Sequence, residues 1–331
     1  MKDKVLLGLS GGVDSAVAGY LLKEQGYDVT CCFMRNWDSI ANNDILGNPT
    51  LNGDQCSQEK DYEDAVKTAE QLGLPLLRVD FIKEYWDDVF SYFLSEYKEG
   101  RTPNADVFCN RHIKFQAFRN YAHAHGFNKI AMGHYAKRVD LPDGYACLYK
   151  ADDRNKDQSY FLAEVTEEQL KDAIFPLAKI TKPEVRKIAE KLGLVIAEKK
   201  DSTGVCFIGE RRFKEFLSNY LPAQPGKIVD IVHNRVIGEH TGVLYYTVGQ
   251  HRGLKIGGIH GYENKPFFVV GKDVKKNVLY VGQEDNKYMY SYKCRLTRVN
   301  LLMKDAPKGL YKCNAKFRYR GKDMPVELEY V

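Results

Sequence analysis

Short apolar runs, each followed by a single helix-length stretch, decide what the first half of this chain can fold into. Residues 5–9, 29–34, 76–79 and 129–132 read as strands, and 15–25, 62–72, 82–97 and 111–125 read as the helices between them. Gly26, Gly73 and Gly126 stand where three of these helices should stop, because glycine takes the left-handed turn after a helix at no steric cost. Parallel neighbours need a crossover, and one helix per strand supplies it. The pattern therefore predicts a Rossmann-like α/β fold: a parallel sheet with helices on both faces. Thr181-Lys182-Pro183-Glu184 opens a further helix as a capping box with proline in its first turn, and Gly193 closes it. The polar stretch 38–60 reads as one long loop.

After about Cys206 the texture changes. Runs rich in Val, Ile, Tyr and Phe at 227–231, 243–248, 267–271, 278–281, 295–300 and 314–320 are broken by glycines, which predicts small all-β units. Pro222-Ala223-Gln224-Pro225-Gly226 is the expected hinge. A chain of 331 residues is long for one core. The expected division is 1–208 for a catalytic unit, 209–275 for a small central unit and 276–331 for a C-terminal β-barrel. The alternating run 325–331 reads as a last strand with its edge exposed, so the barrel is expected to be incomplete.

No apolar run approaches the roughly 18 residues of a membrane span, and the first strand follows Met1 too closely for a leader peptide. A cytoplasmic protein without a membrane partner is expected. Eight cysteines in a reducing compartment do not suggest a disulfide framework, and no C-x-x-C pair exists to hold zinc, so no protein metal site is expected. The net charge of +5 is mild, but residues 179–214 hold ten Lys/Arg against five Asp/Glu. Such a run suits phosphate contacts or a solvated helix face, and charge alone leaves both open.

The sharpest motif is Gly8-Leu9-Ser10-Gly11-Gly12-Val13-Asp14-Ser15, where the first strand becomes the first helix. Small residues let backbone N–H groups converge on a phosphate at a helix N-terminus. No Gly-Lys-Ser/Thr follows, so it is not a Walker A loop, and the dinucleotide fingerprint is absent. Two cysteines sit in comparably marked strings. Thr102-Pro103-Asn104-Ala105-Asp106-Val107-Phe108-Cys109-Asn110 leads into the helix expected from Arg111, which would put Cys109 at a helix start, where a thiol pKa is lowered. Ser202-Thr203-Gly204-Val205-Cys206-Phe207-Ile208-Gly209-Glu210 places Cys206 in a glycine-flanked turn after Lys199-Lys200.

The 8–15 string resembles the pyrophosphate loop of ATP pyrophosphatases, whose fold is adenine nucleotide alpha-hydrolase-like. Together with both cysteine strings, Gly133-His134-Tyr135, Lys156-Asp157-Gln158-Ser159-Tyr160-Phe161 and Tyr246-Thr247-Val248-Gly249-Gln250, the chain resembles the tRNA-specific 2-thiouridylase family along nearly its whole length. The resemblance implies ATP-dependent 2-thiolation of the wobble uridine of tRNA. It implies that Cys206 carries a persulfide and Cys109 is the nucleophile that pairs with it in a disulfide. It assigns ATP to Gly8, Leu9, Ser10, Gly11, Gly12, Val13, Asp14, Ser15, Met34 and Gly133, with Mg²⁺ accompanying the nucleotide. Asn104, Ala105 and Asp106 would meet the target base, and His134, Lys156, Asp157, Gln158, Arg318 and Tyr319 would meet tRNA. A sulfur relay or cysteine desulfurase is the implied partner, and a monomer the expected state. Ala105 departs from the family's usual proline. A small-molecule adenylating synthetase and a non-catalytic RNA-binding module stay open as alternatives, as does an iron–sulfur route through Asp106, Cys109 and Cys206.

Overall fold

The computed structural model describes residues 3–49, 57–201, 204, 208, 211–305 and 307–329. In its first part the chain lays down β1 (Lys4–Gly8), α1 (Val13–Glu24), β2 (Asp28–Arg35), α2 (Ser57–Leu72) and β3 (Leu76–Asp80). Two long helices follow, α3 over 82–98 and α4 over 105–124, each with a π-helical stretch, at Trp86–Phe90 and Cys109–Ala117. Then come β4 (Lys129–Ala131), the hairpin β5 (Ala136–Asp140) and β6 (Ala146–Lys150), α5 (Glu167–Lys171), β7 (Ala173–Ile174) and α6 (Lys182–Lys191).

The expected parallel sheet is present, in the order β3-β2-β1-β4-β7. β1 pairs in parallel on both sides, with Leu6 opposite Thr30 of β2 and Ile130 of β4. Alternate residues of β1 serve opposite layers. Val5 and Leu7 join Ala16, Ala65 and Val185 from α1, α2 and α6, whereas Leu6 joins Phe90, Ile113 and Phe118 from α3 and α4. All are buried, so helices cover both faces and the strands read as continuous apolar runs.

The helix expected from Arg111 begins six residues earlier. Asn104 caps it by accepting a hydrogen bond from the Asp106 N–H at 3.1 Å, a signal that outweighs the later apolar period. Cys109 therefore lies inside α4, fully buried, with its N–H committed to the carbonyl of Ala105 and not left at a helix start. The expected loop 38–60 is also shortened, since α2 starts at Ser57; residues 50–56 lie outside the described residues.

After α7 (Phe213–Ser218), a four-stranded sheet takes the order β10-β11-β8-β9, from β8 (Gly226–Asp230), β9 (Arg235–His240), β10 (Phe267–Asp273) and β11 (Val278–Gln283). β10 and β11 pair across residue 275, so the sheet crosses the boundary expected there. A hairpin of β12 (Leu310–Ala315) and β13 (Met324–Glu329) ends the described chain. Two expected strands are missing. Residues 243–245 form a tight turn instead, where Gly242 turns the chain at φ +153° and the Tyr245 hydroxyl donates to the Leu221 carbonyl at 2.5 Å. Residues 295–300 are mostly exposed and pair with no strand among the described residues. Of 314–320, only the first two residues fall in β12.

One ion pair joins the loop after β2 to the chain entering α7. Arg211 meets Asp44 at 2.8 Å, with side chains 4% and 0% exposed, and the Trp37 indole donates to the same carboxylate at 3.0 Å. Arg211→Met would strand a buried carboxylate, and such half-broken pairs cost about 3–5 kcal/mol. Urea unfolding should show that loss; an unchanged midpoint would show that the pair does not hold the junction.

Candidate active site

The sheet reverses its winding at β1 and β4, and the crevice at their carboxyl ends is where open α/β sheets bind ligands. Glycines let the backbone close there. A Cβ on Gly8 would stand 2.7 Å from the Met132 sulfur and 3.0 Å from the Met34 methyl. Gly11 adopts φ +72°, and a Cβ on it would lie 2.2 Å from the Asp61 carbonyl oxygen. Gly133, just past β4, lies so close to α1 that its Cβ would be 2.7 Å from the Ser15 nitrogen. Gly12 caps α1, and among the described residues no side-chain hydrogen bond caps this helix start. The Ser15 hydroxyl donates to the Gly12 carbonyl at 3.0 Å and accepts from the Ser10 N–H at 3.2 Å, which fixes the loop's curvature. Leu9 and Val13 are buried beneath it. A cradle of small residues at an uncapped helix start fits a polyphosphate.

Charge around the loop is arranged by residues far away in sequence. Asp14 accepts from the Tyr135 hydroxyl at 2.8 Å and from Lys182 at 2.7 and 2.8 Å. Burial, then the neighbouring Asp14, raises the Tyr135 pKa, so the phenol stays a donor. Lys182 also meets Asp201 at 2.7 Å, where Lys156 (2.6 Å) and Arg186 (3.1 Å) converge. Burial works against the charged form of Asp201, but the bonds from Lys156 and Lys182 prevail and hold its pKa at about 2. Lys199 reaches the Gly11 carbonyl at 2.9 Å while pairing with Asp61 and Asp64. Lys182, Arg186, Lys199, Arg211 and Arg212 of the basic run are thus engaged with carboxylates of the protein itself. The run is much less a free phosphate-tracking face than its charge count suggested.

A cavity of about 460 Å³ gathers the other expected contacts. Asn104, Ala105 and Asp106 form one wall, Arg318 and Tyr319 of the C-terminal hairpin another, and Tyr160, Thr247 and Gly204 complete it. Ala105 is the first residue of α4, a position that tolerates proline or alanine alike, and the Asn104 cap keeps it in place. The cavity brings together residues more than 200 positions apart. Lys156, Asp157 and Gln158 do not line it. Lys156 holds Asp201, Asp157 accepts from the Ala151 N–H and the Ser159 hydroxyl, and Gln158 bonds the backbone of Tyr135 in both directions. His134 is buried between Phe115 and Phe175, its Nδ1 has no hydrogen-bond partner among the described residues, and burial drives its pKa well below the usual value, so the ring is neutral. Cys206 lies outside the described residues, as does most of its string; its described neighbours are Asp201, Gly204, Ile208 and Arg211.

Tyr135, Lys182, Lys199, Asp201 and Thr247 had no sequence signal as a site. Tyr135, Lys182 and Thr247 stood in recognisable strings, but nothing in those strings said what they would touch.

Residues 3–210 match the family model described as tRNA methyl transferase HUP domain, and residues 214–283 match the tRNA methyl transferase PRC-barrel domain. The tRNA-specific 2-thiouridylase MnmA of Metamycoplasma arthritidis is 54% identical over 334 residues, covering 100% of this chain and 87% of that protein. The MnmA of Mycoplasma mycoides subsp. mycoides SC is 53% identical over 339 residues, covering 100% and 89%. That of Mycoplasma capricolum subsp. capricolum is 52% identical with the same coverage. Identity at that level spans the phosphate-loop crevice, the buried cysteine helix and the β-rich part alike, and the chain belongs to the tRNA-specific 2-thiouridylase family.

Proposed function

We propose that this protein uses ATP to replace the 2-oxygen of the wobble uridine of tRNA with sulfur. The observation that carries the reading is the glycine-built cradle at the β1–β4 switch point, with Asp14 neutralised by Lys182 and an uncapped helix start facing the crevice. ATP binds there through residues 8–15, with Met34 and Gly133 closing the pocket and Mg²⁺ accompanying the phosphates. The target base enters the cavity beside Asn104, Ala105 and Asp106, turned out of its loop because chemistry on a stacked base is out of reach. Arg318 and Tyr319 contact the flanking RNA.

A uridine carbonyl oxygen is a poor leaving group. Its attack on the α-phosphorus of ATP expels pyrophosphate and leaves the oxygen as part of an AMP ester. The terminal sulfur of a Cys206 persulfide then bonds to C2. Cys109 attacks the Cys206 sulfur, the S–S bond breaks, and AMP departs with the original oxygen. The products are 2-thiouridine, AMP and a Cys109–Cys206 disulfide, which a reductant must reopen. A desulfurase or relay protein supplies the persulfide sulfur, and the enzyme works as a cytoplasmic monomer. The buried position of Cys109 supports a role shielded from bulk oxidants.

In assays with tRNA and ATP, the nucleotide product should be AMP, and Lys182→Met should slow its formation by about 10²-fold, the usual effect of losing one preorganised charged donor. Formation of ADP, or equal AMP release from free uridine, contradicts the assignment.

The two cysteines separate by role. Cys206→Ser should still yield adenylated tRNA but transfer no sulfur. Cys109→Ser should still accept sulfur at Cys206 yet leave transfer unfinished. Peptide mapping of the wild type after one turnover without reductant should find the two cysteines linked, which requires Cα atoms within about 7 Å at that stage. Full activity of Cys109→Ser would remove the two-cysteine scheme.

A further inference from the structure

The string Tyr246-Thr247-Val248-Gly249-Gln250 has no part in the chemistry above, yet it forms a junction of separate parts of the chain. Its base is fixed internally: the Thr247 N–H donates to the Gln250 side chain at 3.0 Å, and the Gln250 N–H donates to the Thr247 carbonyl at 3.0 Å. β10 holds it from one side, through Gly249 N–H to the Val269 carbonyl (2.7 Å), Val269 N–H to the Gln250 carbonyl (2.9 Å) and Lys272 to the Tyr246 carbonyl (2.7 Å). Lys214 of α7 holds it from another, 3.2 Å from the Tyr246 hydroxyl and 4.3 Å over the ring. The turn is therefore a rigid point.

Two contacts run from that point to residues that line the cavity or lead into it. The Thr247 hydroxyl lies 3.2 Å from the Thr102 hydroxyl, two residues before the Asn104 cap. The Val248 carbonyl accepts from the Arg318 guanidinium at 3.1 Å. Gly249 makes the second contact possible. It sits at φ +87°, and a Cβ there would stand 2.9 Å from the same guanidinium nitrogen. That nitrogen ends a flexible side chain and would move aside for a Cβ, while the positive φ adds backbone strain of its own.

We propose that the 246–250 turn is the positioning element of the base cavity, setting the loop before α4 through Thr247 and the Arg318 guanidinium through Val248 and Gly249. Gly249 and Val248 are positioning residues that act through Arg318. Thr247 acts through Thr102 and also faces the cavity. The inference rests on the cavity being the place where tRNA is held.

Steady-state AMP formation by the full chain, with tRNA and ATP varied separately, tests it. Arg318→Ala should raise the KM for tRNA about tenfold, the worth of one charge-assisted hydrogen bond, and leave the KM for ATP unchanged. Gly249→Ala should do the same, and the double variant should be no worse than Arg318→Ala alone, because the displaced group is already gone. Thr247→Val should also raise the tRNA KM, Thr247→Ser should keep it near wild type, and Thr102→Val with Thr247→Val should not exceed either alone. These threonine variants decide the matter if Gly249→Ala fails to fold. Multiplying effects of Gly249→Ala and Arg318→Ala, or a wild-type KM in Thr247→Val, overturns the positioning role. If Asn104→Ala and Arg318→Ala both leave the tRNA KM unchanged, the cavity is not the RNA site and the underlying reading falls with it.

Discussion

Contact between the end of β4 and the first turn of α1 is possible only because Gly133 has no side chain. The missing Cβ would sit 2.7 Å from the Ser15 nitrogen, a distance no real side chain tolerates against backbone. Gly8 and Gly11 repeat the device on the other two sides, against Met132 and Met34 and against Asp61. Three absent side chains thus bring a helix N-terminus, two strand ends and the start of α2 around one small crevice. Everything proposed about phosphate binding depends on that closeness, since the partial charge of a helix end falls off within a turn.

Closeness also creates an electrostatic problem, which is met from far along the chain. Asp14 stands in the first turn of α1, where it would repel phosphate if left alone. Tyr135 and Lys182 both bond to it, and Lys182 is shared with Asp201, so the carboxylate faces the crevice already neutralised. Asp201 and Arg211 flank the stretch that carries Cys206, and they differ in kind. The pairs at Asp201 are partly solvated, and salt bridges of that sort contribute about 0–1 kcal/mol each. The pair at Arg211 is dry, so removing either partner would leave a buried charge uncompensated.

Much of this was legible in the sequence where neighbours in the chain are also neighbours in space. The strands at 5–9 and 29–34 showed as apolar runs because both of their faces are buried, the edge strand at 76–79 showed as a short run although it is partly exposed, and the 8–15 string is a complete local structure. Legibility failed where burial came from one side or from afar. The hairpin β5–β6 and strand β9, half exposed, gave no clean run. Residues 243–248 looked like a strand because Val243, Tyr245 and Tyr246 are apolar and buried, although they pack from a turn and not from a strand. Asn104 was read as a base contact, and its capping of α4 went unseen, which misplaced Cys109. Lys182 showed only as part of a capping box, and the Thr102–Thr247 bond spans 145 positions, a pairing that only the tertiary fold can create.

In the chemistry proposed above, the oxygen removed from uridine leaves as part of AMP. Carrying ¹⁸O at the 2-position of the wobble uridine through a single turnover, followed by mass spectrometry of the nucleotide, tests this directly. One ¹⁸O should appear in the phosphate of AMP for every thiolated tRNA. Unlabelled AMP, with the heavy oxygen appearing in water or retained in tRNA, would contradict it.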